Sequence, residues 1–115
     1  MVVISENVSL CKTIFKKGTG LMFRRKKKDF AYIFPFKKSK KLSITMWFVF
    51  FPIDILFLDK DDFVVEKVEN LKSWRFYFPL RKSVTFIELP SGTIKKHSIS
   101  LAQKIKWDSK SVKIL

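Results

Sequence analysis

The sequence contains few of the residues that mark disulfide-stapled, metal-binding or disordered proteins. Its single cysteine, Cys11, cannot form an intramolecular disulfide, and its single histidine, His97, has no second histidine or cysteine at ligand spacing. Three glycines and four prolines in 115 residues are too few for a collagen-like or low-complexity chain. We therefore predict no metal site and no cofactor, and one packed domain over residues 1–115.

A secretory signal is also missing from the N-terminal segment. The residues MVVISENVSL include no basic n-region, no apolar stretch of sufficient length and no small-residue cleavage site. A single cysteine fits a reducing compartment. We expect a soluble, cytoplasmic protein.

Acidic residues are scarce, so the chain is strongly basic. Ten Asp and Glu face 24 Lys and Arg, which gives a formal net charge of +14. Such a field attracts nucleic acid, anionic lipid or an acidic protein. Lysine and phenylalanine are also the residues that an AT-rich genome encodes often, so a solvated lysine surface is the alternative. The basic residues concentrate between Phe23 and Lys41: Arg24, Arg25, Lys26, Lys27, Lys28, Lys37, Lys38, Lys40 and Lys41.

One long apolar run, Leu42 to Leu58, raises the question of a membrane span. As a helix its 17 residues would extend about 25 Å, against a hydrocarbon core of about 30 Å. Pro52 would break that helix, and Asp54 would place a carboxylate in the lipid. We therefore predict two consecutive core strands bent at Pro52, and no membrane partner.

Strand-like segments dominate the rest of the chain. Their apolar residues alternate or form short runs, with many β-branched and aromatic side chains. We predict a mainly β fold, a compact β-sandwich or partly closed barrel with one or two short helical turns. The predicted strands are Met1–Ile4 paired with Val8–Phe15, Phe30–Phe36 ending near Pro35, Ile53–Leu58 and Phe63–Val68 as a hairpin, Arg75–Phe78, Ser83–Leu89 and Ile105–Trp107. The predicted helical turns are Thr93–His97 and Ser100–Lys104.

Three short motifs resemble a known family. Gly20–Arg24 reads GLMFR, Met46 precedes the stretch PIDILFLD at Pro52–Asp59, and Glu88–Gly92 reads ELPSG. In order and spacing they are similar to the bacterial and archaeal family called domain of unknown function 192. The resemblance covers nearly the whole chain and implies a compact, mostly β domain of this length. It implies no reaction, because no activity is agreed for the family.

This chain also departs from the family pattern. Many members have a polar Lys-Asn-Thr step directly after the methionine, whereas this chain has Trp47-Phe48-Val49, as expected of archaeal relatives. A site formed by those polar groups is therefore missing. The late Gly-Asp turn of the family falls near Ala102-Gln103 here, so a turn that depends on glycine is not expected at that position.

Three charged residues are candidates for a ligand-binding site. Asp54 and Glu88 each lie between apolar residues of a predicted strand, and Arg24 follows an apolar triplet. A charge in such surroundings must reach water, a backbone donor or an opposite charge. One interpretation is structural, with Asp54 accepting hydrogen bonds from backbone amides and Arg24 pairing with a carboxylate. The other is that all three line a pocket for a small polar ligand.

The basic region also suggests nucleic-acid binding. Phe30, Tyr32, Phe34 and Phe36 alternate between its two lysine clusters, and rings of this kind stack bases while lysines hold phosphates. All four rings fall on one strand face, which is equally typical of a core. In that case the lysine clusters alone would bind nucleic acid, with a strong salt dependence and no sequence preference.

The sequence thus indicates a binding protein rather than an enzyme. It contains no nucleophile with an adjacent base, no ligand cluster and no phosphate-binding loop. We predict a module that binds a small ligand or a partner protein through Arg24, Asp54 and Glu88. The alternative function is electrostatic nucleic-acid binding through the region Arg24 to Lys41.

Overall fold

A five-stranded sheet organises the chain, seen in a computed structural model that describes residues 2–11 and 28–115. The strand order in this sheet is β2-β3-β8-β5-β6, with β2 and β3 parallel and the other pairs antiparallel. A three-stranded sheet β1-β10-β9 and a two-stranded pair β4-β7 complete a mainly β, sandwich-like fold. The elements are β1 Val2–Ser5, β2 Val8–Leu10, β3 Ala31–Lys40, β4 Ile44–Thr45, β5 Ile53–Leu58, β6 Val64–Leu71, β7 Phe76–Tyr77, β8 Ser83–Pro90, α1 Thr93–Lys96, β9 Ile105–Trp107 and β10 Val112–Ile114.

The five-stranded sheet carries a separate hydrophobic cluster on each face. One face, here called the aliphatic face, packs Leu56, Ile87 and their neighbours against the three-stranded sheet and α1. The other, the aromatic face, packs Phe57 and Phe86 against β4 and the loop that follows it. Because β5 is covered on both sides, all six of its residues are buried. This explains why its sequence is a continuous apolar run rather than an alternation.

The structure confirms the predicted hairpin of Ile53–Leu58 with Phe63–Val68. β5 and β6 pair antiparallel, and the acidic loop Asp59–Asp62 joins them. One Asp59 carboxylate oxygen accepts hydrogen bonds from the backbone N–H groups of Asp61 (2.9 Å) and Phe63 (3.0 Å). This local pattern is the reason that aspartate favours turns. The short helix at Thr93–Lys96 also agrees with the prediction for Thr93–His97.

The predicted pairing of the first two strands is wrong. β1 pairs antiparallel with β10 at the other end of the chain, and β2 pairs parallel with β3. The loop between β1 and β2 is short enough for a hairpin, but each strand has a larger apolar surface to cover elsewhere. Ile4 packs on the aliphatic face, in one cluster with Val112 and Ile114. Tertiary burial therefore determined the pairing.

The strand at Phe30–Phe36 does not end near Pro35. β3 continues to Lys40, and its pairing with β8 is irregular between Pro35↔Thr85 and Lys40↔Ser83. Within residues 2–11 and 28–115 the pairing of β2 with β3 reaches Ile33, so the missing N–H of Pro35 lies beyond this described ladder. The irregularity lets the strand end turn outward, and its last four residues are exposed.

Two further predictions need correction. Residues Ser100–Lys104 form a turn rather than a helix, with the Gln103 N–H directed to the Ser100 carbonyl. The run Leu42–Leu58 supplies β4 and β5, but these strands belong to different sheets. Between them the chain forms a turn at Trp47-Phe48 that is exposed. Trp47, Phe48 and Phe50 are exposed in this segment, whereas Met46, Val49 and Phe51 are buried on the aromatic face.

Among residues 2–11 and 28–115, no helix has the length and apolar character to cross a membrane. The run Leu42–Leu58 contains strands and a turn.

Candidate binding surface

Asp54 is fully buried and its carboxylate holds two backbone segments together. Oδ1 accepts a hydrogen bond from the Asn70 N–H (2.9 Å), and Oδ2 accepts one from the Ile94 N–H (2.8 Å). Asn70 lies in an irregular part of β6, where the register with β5 shifts between Ile53 and Ile55. The carboxylate thus satisfies amides that the ladder and the short helix leave open. These contacts are those of a structural residue.

Glu88 is also buried, with 6% of its surface exposed, but has no such contacts. Among the described residues, neither its carboxyl nor the hydroxyl of the neighbouring Tyr32 makes a hydrogen bond; Tyr32 lies directly opposite Glu88 in the β3–β8 register. Burial raises the pKa of Glu88 to about 8. At neutral pH the carboxyl is therefore mostly protonated. Glu88 stays a hypothesis for ligand binding.

Asp54 and Glu88, the two described residues of the predicted ligand-binding set, are not brought together. In the β5–β8 register Asp54 pairs with Leu89 and Ile55 with Glu88, so the two carboxyl groups point to opposite faces of the sheet. Asp54 faces α1 on the aliphatic face, and Glu88 faces the aromatic face. Arg24 lies outside the described residues. One pocket lined by both Asp54 and Glu88 is incompatible with this register.

A cleft of about 450 Å³ opens near the end of β1 and the end of β8. Its charged lining comes from Glu6, Lys28, Asp29 and Lys96, with His97 beside them. Neither Asp54 nor Glu88 reaches it, although the Asp54 bond to the Ile94 N–H fixes the helix that presents Lys96 and His97. These charges are exposed and of both signs. The cleft therefore has no clear preference for a ligand.

The predicted nucleic-acid residues divide into separate groups. Lys37, Lys38, Lys40 and Lys41 are exposed at the end of β3, whereas Lys28 lies before its start. β3 has ten residues, a length of about 33 Å at ~3.3 Å per residue. Lys28 and the second lysine cluster therefore do not share one surface. Arg24, Arg25, Lys26 and Lys27 lie outside the described residues.

The aromatic row of β3 is not available for base stacking. Phe30, Tyr32 and Phe34 are buried on the aromatic face of the five-stranded sheet. The Phe34 ring stacks on the Phe86 ring, with 4.5 Å between the ring centroids. Phe36 is half-buried, with the Lys40 ammonium 5.3 Å above its ring. These rings are core residues, the second of the two interpretations that the sequence allows.

Exposed rings are instead found on the β4–β7 lobe, which comprises residues 41–52 and 72–82. Trp74 packs edge-to-face on Trp47 (5.8 Å) and Phe48 (5.0 Å), and Phe76 lies 5.9 Å from Trp47 and 6.2 Å from Phe78. Contiguous exposed apolar surface is a feature of many interaction sites. We call this surface the aromatic patch, and its members are Trp47, Phe48, Phe50, Trp74, Phe76 and Phe78.

The lobe is fixed to the sheet by a carboxylate on β6. Glu66 accepts hydrogen bonds from the Tyr77 hydroxyl and from the backbone N–H groups of Leu80 (3.0 Å) and Arg81 (2.9 Å). Partial burial, with the hydrogen bond and the charge of Glu66, raises the pKa of Tyr77 to about 12. The hydroxyl therefore stays protonated and remains a donor. The two segments of the lobe are also joined by backbone hydrogen bonds: the Met46 N–H donates to the Arg75 carbonyl, and the Trp74 N–H donates to the Met46 carbonyl.

Basic residues accompany the patch, and Glu66 on β6 is the acid that contacts the lobe. Segments 37–50 and 72–82 contain eight Lys and Arg and no Asp or Glu. The Lys40↔Ser83 register places the end of β3 beside Arg81 and Lys82. We call this group the basic strip, and it comprises Lys37, Lys38, Lys40, Lys41, Arg81 and Lys82. Lys72 and Arg75 flank Trp74 at the patch itself.

Sequence reasoning missed the patch for an identifiable reason. Trp47, Phe48 and Phe50 lie within an apolar run that also supplies core strands, and periodicity does not separate the two. A signal was present in the second segment, where Ser73–Pro79 places an arginine among four aromatic residues. Such a mixture is unusual for a core strand, because buried arginine is rare.

The sequence and fold are similar to those of known proteins. The family model DUF192, described as "Uncharacterized ACR", matches residues 3–107. The UPF0127 protein PH1112 of Pyrococcus horikoshii is 33% identical over 100 residues, which cover 87% of this chain and 86% of that protein. The UPF0127 protein PF1050 of Pyrococcus furiosus is 30% identical over 105 residues, covering 91% and 90%.

Two crystal structures share the fold at 22% sequence identity. One, from Novosphingobium aromaticivorans, is a protein of unknown function with a TM-score of 0.79 over 87% of this chain and 74% of that chain. The other, from Sinorhizobium meliloti, has a provisional description as a transcription regulator and a TM-score of 0.77 over 93% and 80%. The family match and the archaeal relatives agree with the GLMFR, PIDILFLD and ELPSG motifs: the chain belongs to the uncharacterised DUF192 family.

Proposed function

We propose that this chain is a non-enzymatic module that binds a negatively charged macromolecule through the aromatic patch. The observation that carries the proposal is the joint exposure of six contacting rings on one lobe. Exposure of these apolar rings to water costs free energy, and a partner that covers them on binding removes that cost. Trp and Arg are also the residues that contribute most to binding energy in interfaces.

The charge of the lobe supports a negatively charged partner. Eight cations without an acid in segments 37–50 and 72–82 repel another basic surface, so a second copy of this chain is a poor occupant. The proposal replaces the Arg24–Asp54–Glu88 set as the binding surface, because the two carboxyl groups face opposite sides of the sheet.

A panel of defined polyanions tests the proposal. The triple variant Trp47→Ser/Phe76→Ser/Phe78→Ser is compared with the wild type for binding to single-stranded oligonucleotide, duplex DNA, phosphatidylserine vesicles and polyglutamate. We expect at least one partner to bind the wild type tenfold or more tightly than the variant. Phe63→Ser is the matched control, because Phe63 is an exposed ring outside the patch. Equal binding of the wild type and the triple variant to every partner would overturn the proposal.

A further inference from the structure

We infer that the partner of the aromatic patch is a single-stranded nucleic acid, whose bases stack on the rings while its phosphates follow the basic strip. This inference rests on the proposed function and names the class of partner. It depends on three features of the lobe: the arrangement of the cations, the orientation of two rings and the direction of the chain.

Six of the eight cations of the lobe belong to the basic strip, and the other two, Lys72 and Arg75, flank Trp74 in the sequence. Lys37, Lys38 and Lys40 lie in the exposed last part of β3, Lys41 follows it directly, and the Lys40↔Ser83 register places Arg81 and Lys82 nearby. A flat anionic surface, such as a membrane, is best matched by cations that encircle the apolar contact in one plane. A strip matches a linear polyanion, which places one phosphate after another along it.

Phe76 and Phe78 lie between the strip and the tryptophans with their rings nearly parallel. Their centroids are 6.2 Å apart and their planes differ by 16°. Phe78 is 71% exposed, so its ring has a face open to a flat ligand. Nearly parallel exposed rings two residues apart offer flat faces of the kind on which bases stack in single-strand binding proteins. Lipid chains need no such order.

The path of segment 72–82 arranges the rings and the cations in a linear order, here called the track. Segment 72–82 leaves β6 at Leu71, passes through β7 and reaches β8 at Ser83, beside Lys40. The order along it is therefore Trp74 with Trp47, then Phe76, Phe78, and finally Arg81 and Lys82. The distance from Trp74 to Lys82 is at most about 26 Å for an extended chain at ~3.3 Å per residue. This upper bound limits the footprint to the short end of the range for single-strand binding modules, roughly 4 nucleotides.

Duplex nucleic acid does not offer the same contacts. Its bases are stacked on each other and covered by the backbone, so rings on a protein surface reach them only after unpairing. The inference therefore predicts a preference for single strands. Both RNA and DNA provide the required chemistry, and parallel uridine and thymidine oligomers distinguish them.

An abasic oligomer isolates the contribution of the bases. We would measure fluorescence anisotropy with labelled oligothymidine and oligouridine of roughly 15 nucleotides, with an abasic strand of equal length, and with a duplex. We expect the base-containing strands to bind at least tenfold more tightly than the abasic strand. In the triple ring variant this difference should disappear, whereas Phe63→Ser should keep it.

Matched charge variants test the strip. Lys37→Gln/Lys38→Gln/Lys41→Gln and Lys95→Gln/Lys106→Gln/Lys110→Gln lower the net charge equally, and all six lysines are exposed. The first variant should weaken binding of abasic and base-containing strands by the same factor and reduce the dependence of affinity on salt. The second should do neither to a comparable extent.

Tryptophan fluorescence gives a second, independent readout. Trp47 and Trp74 belong to the patch, and Trp107 is held elsewhere by a hydrogen bond from its Nε1–H to Asp62. In a Trp107→Phe background, base-containing strands should quench the remaining emission and the abasic strand should not.

Equal affinity for abasic and base-containing strands would overturn the inference. So would a triple ring variant that binds oligothymidine as the wild type does but loses binding to phosphatidylserine vesicles or polyglutamate. That second result would leave the proposed function intact and identify a different partner. Only unchanged binding to the whole panel would remove both.

Discussion

At the scale of single residues, Asp54 shows how a buried charge serves the fold. Its two carboxylate oxygens accept hydrogen bonds from the Asn70 and Ile94 N–H groups, which no strand ladder satisfies. Asn70 adopts φ of 54°, a left-handed conformation that asparagine tolerates better than most residues. The carboxylate therefore joins the irregular end of β6 to α1 across the end of β5.

Replacing Asp54 should destabilise the protein strongly. Asp54→Ala leaves two amides without an acceptor, and each unsatisfied buried group costs about 1–3 kcal/mol. We expect the free energy of unfolding to fall by roughly 2–5 kcal/mol in urea titrations. Asp61→Ala removes the same charge from an exposed turn and should change it by less than about 1 kcal/mol. A similar loss in both variants would contradict the role of Asp54.

Glu88 should make stability decrease as pH rises. Burial raises its pKa to about 8 in the folded protein, from 4.5 without burial. The stabilisation is complete below the unfolded pKa, and it is lost as pH rises through the folded pKa. Between about pH 5 and pH 9 the loss should reach roughly 2–5 kcal/mol. Glu88→Gln should remove this part of the pH dependence, and the exposed Glu69→Gln should not; urea unfolding across the range checks both.

At the scale of elements, one carboxylate attaches the second segment of the β4–β7 lobe to the sheet. Glu66 accepts the Tyr77 hydroxyl bond and the Leu80 and Arg81 amide bonds, which together attach segment 77–81 to β6. β4 and β7 are only two residues long each, so their own ladder contributes little. The five-stranded sheet, through Glu66 on β6, therefore helps to position the rings of the aromatic patch.

Removal of this carboxylate should loosen the lobe while the sheet stays folded. In Glu66→Ala the Leu80 and Arg81 amides lose their acceptor, which corresponds to about 1–2 kcal/mol of local stability and hence to exchange roughly tenfold faster. Hydrogen exchange measured by mass spectrometry would show this at residues 76–82. Glu69→Ala on the same strand is the control. If β5 and β8 amides accelerated equally, the effect would be global rather than local.

The elements that the sequence predicts well are those with a local signal. The β5–β6 hairpin has two apolar runs and an acidic turn in one short segment, and α1 follows directly on Pro90-Ser91-Gly92. By contrast, the pairing of β1 with β10 depends on residues more than 100 positions apart. No local pattern encodes such a contact, since either face of a short apolar strand can be buried by several partners.

The candidate site was predictable only in part. Glu88 and Asp54 were recognised as unusual because carboxylates rarely lie between apolar strand residues. Their position on opposite faces depends on the register of β5 against β8, which the sequence does not specify. The exposed Trp47, Phe48 and Phe50 lie in a run that also contains core residues on both sides of them and between them. Exposure there follows from the turn at Trp47-Phe48, where the chain leaves the aromatic face.

At the scale of the whole molecule, repulsion among positive charges destabilises the fold, and the hydrophobic clusters on the two faces of the sheet stabilise it. Twenty-four Lys and Arg against ten Asp and Glu leave a net charge of +14 on a chain of 115 residues. Several of the acids are occupied by backbone amides, among them Asp54, Asp59 and Asp108. The cations of the basic strip are therefore neutralised mainly by solvent ions or by a partner. Repulsion between them weakens the compact state.

Salt should therefore stabilise this protein. Raising NaCl from about 20 to 300 mM shortens the Debye length from roughly 20 Å to less than 10 Å, which screens repulsion among exposed lysines. We expect Tm to rise by several degrees in calorimetry. Lys37→Gln/Lys38→Gln/Lys41→Gln removes part of the densest repulsion, so it should raise Tm at low salt and show a smaller salt response than Lys95→Gln/Lys106→Gln/Lys110→Gln. Equal responses of the two variants would mean that the strip carries no excess repulsion, and its cations would then lack the field that a phosphate backbone requires.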